Sequence, residues 1–420
     1  MPSPEQTVWW QVYPLGFVGA PIRDRTDGGA VVHRLGHLMS WLDYAVDLGA
    51  TGLALGPVFA SETHGYDTVD YYRIDPRLGD DTDFDELIAA AHARGMRVLA
   101  DGVFNHVGRA HPAYQDVLAN GPGSRYAPWF HLQPASDWQP GRDLGARTFE
   151  GHGGLIELNH ACPDVVEAVS SVLRYWLGRG VNDWRLDAAY AVPAWFWAQV
   201  LPGVRRDFQD AWFVGEVIHG DYVAYVENSG LDSVTQYELW KALWSSLVDR
   251  NLFELSHALD RHNTFVEHFA PLTFAGNHDV TRLISQVGGD DRLAGIAVIV
   301  LATVGGVPSI YYGDEQAFRG MKEDGWSGDD EVRPAFPPTP SDLLPEGWRT
   351  YRLYQELLAL RARFPWLIRA RTTKVDLTNT RFRYVSRDLS GAGELAVDIR
   401  LEPEPSAIIT SEQRLVFAYP

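Results

Sequence analysis

One cysteine, Cys162, in 420 residues leaves no internal disulfide framework and no cysteine-based zinc finger. Positive charge is also scarce: 36 Lys and Arg stand against 55 Asp and Glu, a formal net charge of −19. Such acidity argues against a nucleic-acid backbone or an anionic membrane as partner. No apolar run approaches the ~20 residues of a membrane span. Residues 294–312 come nearest and are broken by glycine and proline. The opening MPSPEQTVWWQVYPLGF has no basic segment followed by a long apolar stretch, so a cytoplasmic protein is expected. No GxGxxG follows the first strand-like run, which argues against a dinucleotide fold. No unit of 20–50 residues repeats, and nothing in the chain sets an oligomeric state.

What is present is a globular composition: 45% hydrophobic, 22% charged, 15 Trp and 39 scattered Gly exclude collagen, coiled coil and long disorder. Eight apolar or β-branched runs read as strands: 8–14, 51–57, 96–103, 183–188, 211–217, 232–237, 271–277 and 307–313. Helical periodicity falls between them at 37–49, 83–95, 165–180 and 291–306, with Gly closing several. Eight alternations predict an α/β fold, a closed (β/α)8 TIM barrel of parallel strands, over 1–106 and 161–365. The aromatic-rich helix 351–364 completes it. Residues 107–160, rich in Gly, Pro, His and Trp, read as an insertion after the third strand that folds over the barrel mouth. Residues 367–420 hold no Trp and alternate as in RFRYVSR and LAVDIRL, which predicts a small C-terminal β domain over 366–420.

Chemistry in such a barrel sits at the C-terminal ends of the strands. Strand three ends in Asp101-Gly-Val-Phe-Asn105-His106, strand four carries Arg185-Leu-Asp187, strand five ends in Gly215-Glu216 and strand seven in Asn277-His278-Asp279. A closed barrel brings these groups to one mouth. Carboxylates gathered in one pocket suit acid–base and nucleophilic work, as in glycosidases, where one carboxylate attacks the anomeric carbon and another protonates the leaving oxygen. Arg185, two residues before Asp187, points to the same face, and its cation is expected to hold Asp187 ionised as a nucleophile. Glu216, as the acid, has to keep its proton, which apolar neighbours and nearby carboxylates favour. Asn105-His106 reads either as a turn pair or as metal ligands. The acidic run 322–334 reads as a solvated loop that also rims the mouth.

These motifs resemble the α-amylase family of retaining glycoside hydrolases, over about residues 8–365 and in the family's order. ADGVFNHVG is similar to its third-strand motif, with Asp101, Asn105 and His106 in place, and implies Asp101 and His106, together with Arg185, as sugar-binding residues. VNDWRLDAAY implies Asp187 as nucleophile with Arg185 as partner, and FVGEV implies Glu216 as general acid/base. FAGNHDVTR implies His278 and Asp279 as binders of the distorted −1 sugar, Asp279 being the third catalytic carboxylate. HGYDTVDYYRIDPRLGD resembles the second-loop motif, where Tyr66 would stack under that sugar beside His64. The resemblance implies hydrolysis of short α-glucosides or malto-oligosaccharides through a covalent glycosyl-enzyme, with an oligosaccharide as the partner and no required cofactor. Two departures matter. Tyr190 and Ala191 replace the Lys-His pair that endo-acting amylases carry after the nucleophile. Glu157, in LIELN, replaces an Asp that often serves calcium, so calcium is possible, with Asn105 as one ligand. Transfer of glucosyl or maltosyl units to a sugar acceptor is the alternative reaction, and a non-catalytic amylase-like binding protein the remote one.

Overall fold

The computed structural model describes residues 1–23, 29–133, 138–325, 327–391 and 393–420. The insertion expected over 107–160 and the acidic run 322–334 therefore each include residues outside the described set, 134–137 and 326. All eight predicted strands form, each shorter than its apolar run: β1 (Trp9–Val12), β2 (Gly52–Leu55), β3 (Arg97–Gly102), β4 (Asp183–Leu186), β5 (Phe213–Gly215), β6 (Ser233–Val234), β7 (Leu272–Phe274) and β8 (Val307–Tyr311). They pair in parallel in the order β6-β5-β4-β3-β2-β1-β8-β7. The two ends of that order meet at one parallel bridge, Thr235↔Leu272, so the ring is joined by a single residue pair there.

Alternation along the strands sorts side chains into the barrel or toward the helices. Trp9, Ala54, Leu99, Trp212, Val214, Ala270 and Val307 form one buried cluster. Trp9 stacks on Trp212, centroids 6.2 Å apart. Truncating either ring to Ala removes a large apolar surface from the core and costs roughly 3–5 kcal/mol. Arg97, Leu99 and Asp101 share one face of β3. Asp183 and Arg185 share a face of β4, and the register sets Asp101 beside Arg185. At the opposite, N-terminal ends of these strands Arg97 forks onto Asp183, with both N–O distances 2.7 Å.

Helices surround the sheet where the periodicity placed them: Asp81–Ala93, Pro163–Gly178, Asp291–Thr303 and Gly347–Arg363. Asp80 caps the first through a capping box, and Asp290 caps the third. Two helices, Tyr237–Val248 and Leu252–His268, follow β6, and the first begins at the barrel mouth. After β3, the short strand His106–Gly108 pairs antiparallel with Leu155–Glu157, and the helix Pro112–Asn120 lies between them. The C-terminal sheet is a five-stranded antiparallel meander: β9 (Arg371–Leu377), β10 (Arg381–Arg387), β11 (Glu394–Arg400), β12 (Ser406–Ser411) and β13 (Arg414–Tyr419). Phe382, Tyr384, Leu395, Val397 and Ile399 turn inward. Asn263 of the second helix after β6 exchanges two hydrogen bonds with the Thr372 backbone, at 2.7 and 2.8 Å. Among the described residues no helix is long and apolar enough to cross a membrane.

Candidate active site

The strand ends bring the predicted residues to one place. Arg185, at the end of β4, is the hub. Its Nη1 donates to both oxygens of Asp101 (2.8 and 2.6 Å) and to Asp187 Oδ1 (3.1 Å). Its Nη2 lies 3.0 Å from Glu216 Oε1. One rigid guanidinium thus touches both Asp187 and Glu216, so the two carboxylates lie within roughly 9 Å of each other. The turn after β4 contributes as well. Ala188 takes a left-handed backbone (φ 45°), a conformation costing an L-residue roughly 1–2 kcal/mol. Its N–H donates to Glu216 Oε2 at 2.9 Å. Strain spent beside reacting groups is a mark of functional sites.

The β7 loop closes the other side. Gly276 leaves no room for a side chain, since a Cβ would meet Asp314 Oδ2 at 2.3 Å. Next to it, Asn277 Oδ1 accepts from the Asp279 N–H at 2.9 Å. His278 Nε2 lies 3.0 Å from Asp279 Oδ2, and Gln11 Nε2 faces His278 Nδ1 at 3.3 Å. That network assigns the proton to Nε2. Tyr66 stacks on the His278 ring at 5.6 Å and 3°, touches its Nε2 through the hydroxyl and lies 3.4 Å from Asp101 Oδ2. His64 Nδ1 accepts from the Tyr66 N–H at 3.2 Å, and burial lowers its pKa, keeping the ring neutral. Asp67 does not reach an arginine within the described ion pairs; Thr63 caps it through N–H and hydroxyl.

His106 supports this floor from below. Its Nε2 donates to the Tyr66 carbonyl at 2.9 Å, which leaves Nδ1 to accept from the Asn105 amide at 3.2 Å. Burial pushes its pKa down to about 4. The amide nitrogen of Asn105 is therefore spent on His106. Glu157, on the strand paired with His106, binds Arg147. Among the described residues no carboxylate or histidine group gathers around Asn105. The metal-spaced trio that does occur is His33, Asp80 and Asp83, where both acids serve the capping box. Calcium takes six to eight oxygens, and among the described residues no carboxylate cluster supplies them beside Asn105.

Charge in the site is unbalanced, and this corrects one expectation. Arg185 was expected to keep Asp187 ionised. Instead burial, reinforced by Glu216, Asp101 and Asp279, outweighs Arg185 and raises the Asp187 carboxyl well above the usual range. The physical reason is sharing: one cation serves three carboxylates, and Asp101 takes its closest contacts. Burial raises Asp101 too. Asp279 goes the other way, because His278, Arg333 and Arg185 together overcome its burial and lower it. Four carboxylates thus face two guanidinium groups, and the crowding disfavours charge on the two most enclosed of them, Asp187 and Asp101. Exposure is graded: the side chain of Asp101 is 0% accessible, Asp187 9%, Glu216 10% and Asp279 33%, so the site opens on the Asp279 side.

Two residues of the site were not singled out from the sequence. Arg333, from the acidic run after β8, donates to Asp279 Oδ1 (2.8 Å) and to the His278 carbonyl (2.9 Å). It also lies over the rings of Tyr13 and Tyr66. Its only signal was being a cation among acids. Tyr237, the first residue after β6 to enter a helix, approaches Glu216 Oε1 at 3.3 Å. Beyond Glu216, Tyr190 donates its N–H to the Glu216 carbonyl (3.1 Å) and its hydroxyl to Glu150 (2.8 Å). Phe149 and His219 flank its ring.

Fold and site together define a (β/α)8 barrel with a carboxylate centre at the C-terminal face of its sheet. The chain belongs to the α-amylase family: the family's catalytic-domain profile matches residues 11–343. It is 32% identical over 383 residues to a cyclomaltodextrinase of Geobacillus thermopakistaniensis, covering 86% of this chain and 63% of the relative. It is 30% identical to the intracellular maltogenic amylase of Bacillus subtilis, covering 76% and 57%. The chain spans about three fifths of the length of these curated relatives. Among solved structures, cyclic α-maltosyl-(1→6)-maltose hydrolase of Arthrobacter globiformis superposes with a TM-score of 0.81 at 26% identity, covering 99% of this chain and 98% of that one. Its complex with maltose gives 0.82 at 28%, covering 95% and 92%.

Proposed function

We propose that the protein hydrolyses α-glucosidic bonds in short linear or cyclic malto-oligosaccharides, with retention, by double displacement. The observation that carries this reading is the single Arg185 guanidinium touching both Asp187 and Glu216 in one buried site. Asp187 attacks the anomeric carbon as the C1–O bond breaks, and Glu216 gives its proton to the departing oxygen. Water then attacks the Asp187 ester while Glu216 takes the water's proton, and the sugar leaves with its α configuration restored. Asp279 and His278 hold the −1 sugar's hydroxyls, and the Tyr66 ring meets its C–H surface. Asn105 acts here as the prop of His106. No step runs through a metal.

Short and cyclic substrates are favoured by three features. Tyr190 and Ala191 stand where a Lys-His pair would grip a long chain. Glu150 ties Tyr190 to the insertion at the leaving-group side. The relatives named above act, by their names, on cyclodextrins, maltose-releasing glucans or cyclic maltosyl-maltose. A cytoplasmic location accords with the intracellular Bacillus relative. The aromatic group of Tyr190, Phe149 and His219 also favours transfer to an acceptor sugar as a second reaction. A product profile across maltose, maltotriose, isomaltose, trehalose, sucrose, soluble starch, β-cyclodextrin and cyclic maltosyl-maltose tests the proposal. Fast release of glucose or maltose from the short or cyclic α-glucans supports it, and longer products from maltotriose reveal transfer. Turnover of none of them, or preference for starch, contradicts it.

A further inference from the structure

Glu216 is held on three sides, and each holder is of a different kind. Arg185 supplies a cation from β4. Ala188 supplies a fixed backbone N–H from the turn that follows. The third is Tyr237, whose hydroxyl stands 3.3 Å from Glu216 Oε1. That distance is long for a hydroxyl–carboxylate contact, as contacts between reacting groups are before substrate closes the site. The same hydroxyl accepts from the Asn277 amide at 2.9 Å. Asn277 in turn accepts from the Asp279 backbone with its other amide atom. The chain Asp279–Asn277–Tyr237–Glu216 therefore crosses the mouth from β7 to β5.

Direction follows from the inventory of donors. The Asn277 nitrogen can only donate, so the Tyr237 oxygen is the acceptor there, and its own proton is left for Glu216. The ring cannot swing away: Phe274 meets it edge-on at 5.0 Å and Trp240 at 5.8 Å. Burial, with Glu216 and Asp279 adding to it, raises the phenol well above its ordinary pKa, so it stays a donor at every working pH. The other charged and titratable groups around Glu216 are Arg185 on β4, Asp187 just past its end, Asp101 on β3 and Tyr190 on the turn that follows Asp187. Of these only Arg185 is also a donor to the Glu216 carboxylate, and its charge is divided among three carboxylates.

We propose that Tyr237, locked by Asn277, is a positioning residue for Glu216: it aims the carboxyl at the leaving oxygen and stabilises the carboxylate formed when the proton departs. This rests on the reading of Glu216 as the acid. The test compares the full-length enzyme with Tyr237→Phe on two substrates, 4-nitrophenyl α-maltoside, whose phenolate leaves with little help, and maltotriose, whose sugar oxygen needs the proton. The expected loss in kcat/KM is about tenfold on maltotriose, the scale of one hydrogen bond to a charged group, and under threefold on the aryl substrate. The alkaline limb of the maltotriose pH profile moves upward, because the carboxylate has lost a donor. The ratio between substrates is unaffected by any fraction of misfolded protein, so a less stable variant still answers. Equal losses on both substrates with an unmoved alkaline limb overturn the role of Tyr237 while leaving the function intact. A wild-type enzyme that cleaves neither substrate overturns the function and this inference with it.

Discussion

β3 and β4 carry an arginine–carboxylate cluster at each end, and the two clusters are built differently. At the N-terminal end Arg97 and Asp183 match one to one through a bidentate contact. The remaining valences are filled by backbone: Trp212 N–H donates to Asp183, and Arg97 donates to the Asp210 carbonyl. At the C-terminal end, four residues further along β3 and two along β4, Arg185 faces Asp101, Asp187 and Glu216, with Asp279 and Arg333 beside them. One end is balanced and closed. The other holds excess negative charge and opens to solvent. The difference teaches where this barrel keeps reactivity: in the cluster whose charges are not cancelled.

The largest effect should come from breaking the uncancelled cluster. Asp187→Asn should cut kcat on maltotriose by roughly 10⁴-fold or more if Asp187 is the nucleophile proposed, since an amide cannot replace it. Arg97→Met, far from the site, should leave kcat within about threefold while costing roughly 3–5 kcal/mol of stability, because it strands a buried carboxylate. Steady-state kinetics and urea unfolding on the same two proteins separate these outcomes. Loss of activity in Arg97→Met out of proportion to its unfolding would blur the distinction between the two ends.

The balanced pair should also be replaceable as a unit. Arg97→Met combined with Asp183→Asn removes both charges and keeps an acceptor for the Trp212 N–H. Replacing both partners of a buried pair is often near neutral. Most of the stability lost in Arg97→Met should therefore return in the double variant, by at least about 2 kcal/mol in urea titration. A double variant no more stable than the single one would show that the bottom cluster does more than pair.

The smallest effect is a pH dependence of opposite sign at two acids of the top cluster. Asp187 is raised in the folded state, so it binds its proton more tightly folded than unfolded. Its cost to stability is absent below the unfolded value near 4 and grows as pH rises toward the folded value. Asp187→Asn should therefore raise the melting temperature by about 2 °C or more at pH 8, with a smaller gain at pH 5. Asp279 is lowered, so its contribution is present above about 4 and is lost as pH falls. Asp279→Asn should lower the melting temperature at pH 7, with the deficit shrinking toward pH 3. Parallel pH trends for the two variants would contradict the charge accounting of the site.

Much of this was legible in the sequence because each barrel strand is an apolar run ending in a polar group, and the run fixes where the strand stops. Asp101, Arg185, Asp187, Glu216, His278 and Asp279 could be placed together on that basis alone. Arg333 could not, since a cation in an acidic loop reads as solvated until the loop folds back over Tyr13 and Tyr66. Tyr237 meets Glu216 through the two-residue β5–β6 pairing and Asn277 across the β6–β7 bridge, and no pattern in the sequence shows either. The reversal at Asp187 was invisible for another reason: the i, i+2 spacing shows Arg185 beside Asp187, but not that Asp101 and Glu216 compete for the same guanidinium.

The account rests on Asp187 becoming covalently bound to sugar. Incubation of the full-length protein with 5-fluoro-α-glucosyl fluoride, followed by intact mass and peptide mapping, tests this directly. The expected result is a gain of one fluoroglucosyl unit on the peptide carrying Asp187, with α-configured product from natural substrate by NMR. A label on another residue, or turnover that yields the β-anomer with no label at all, would contradict it.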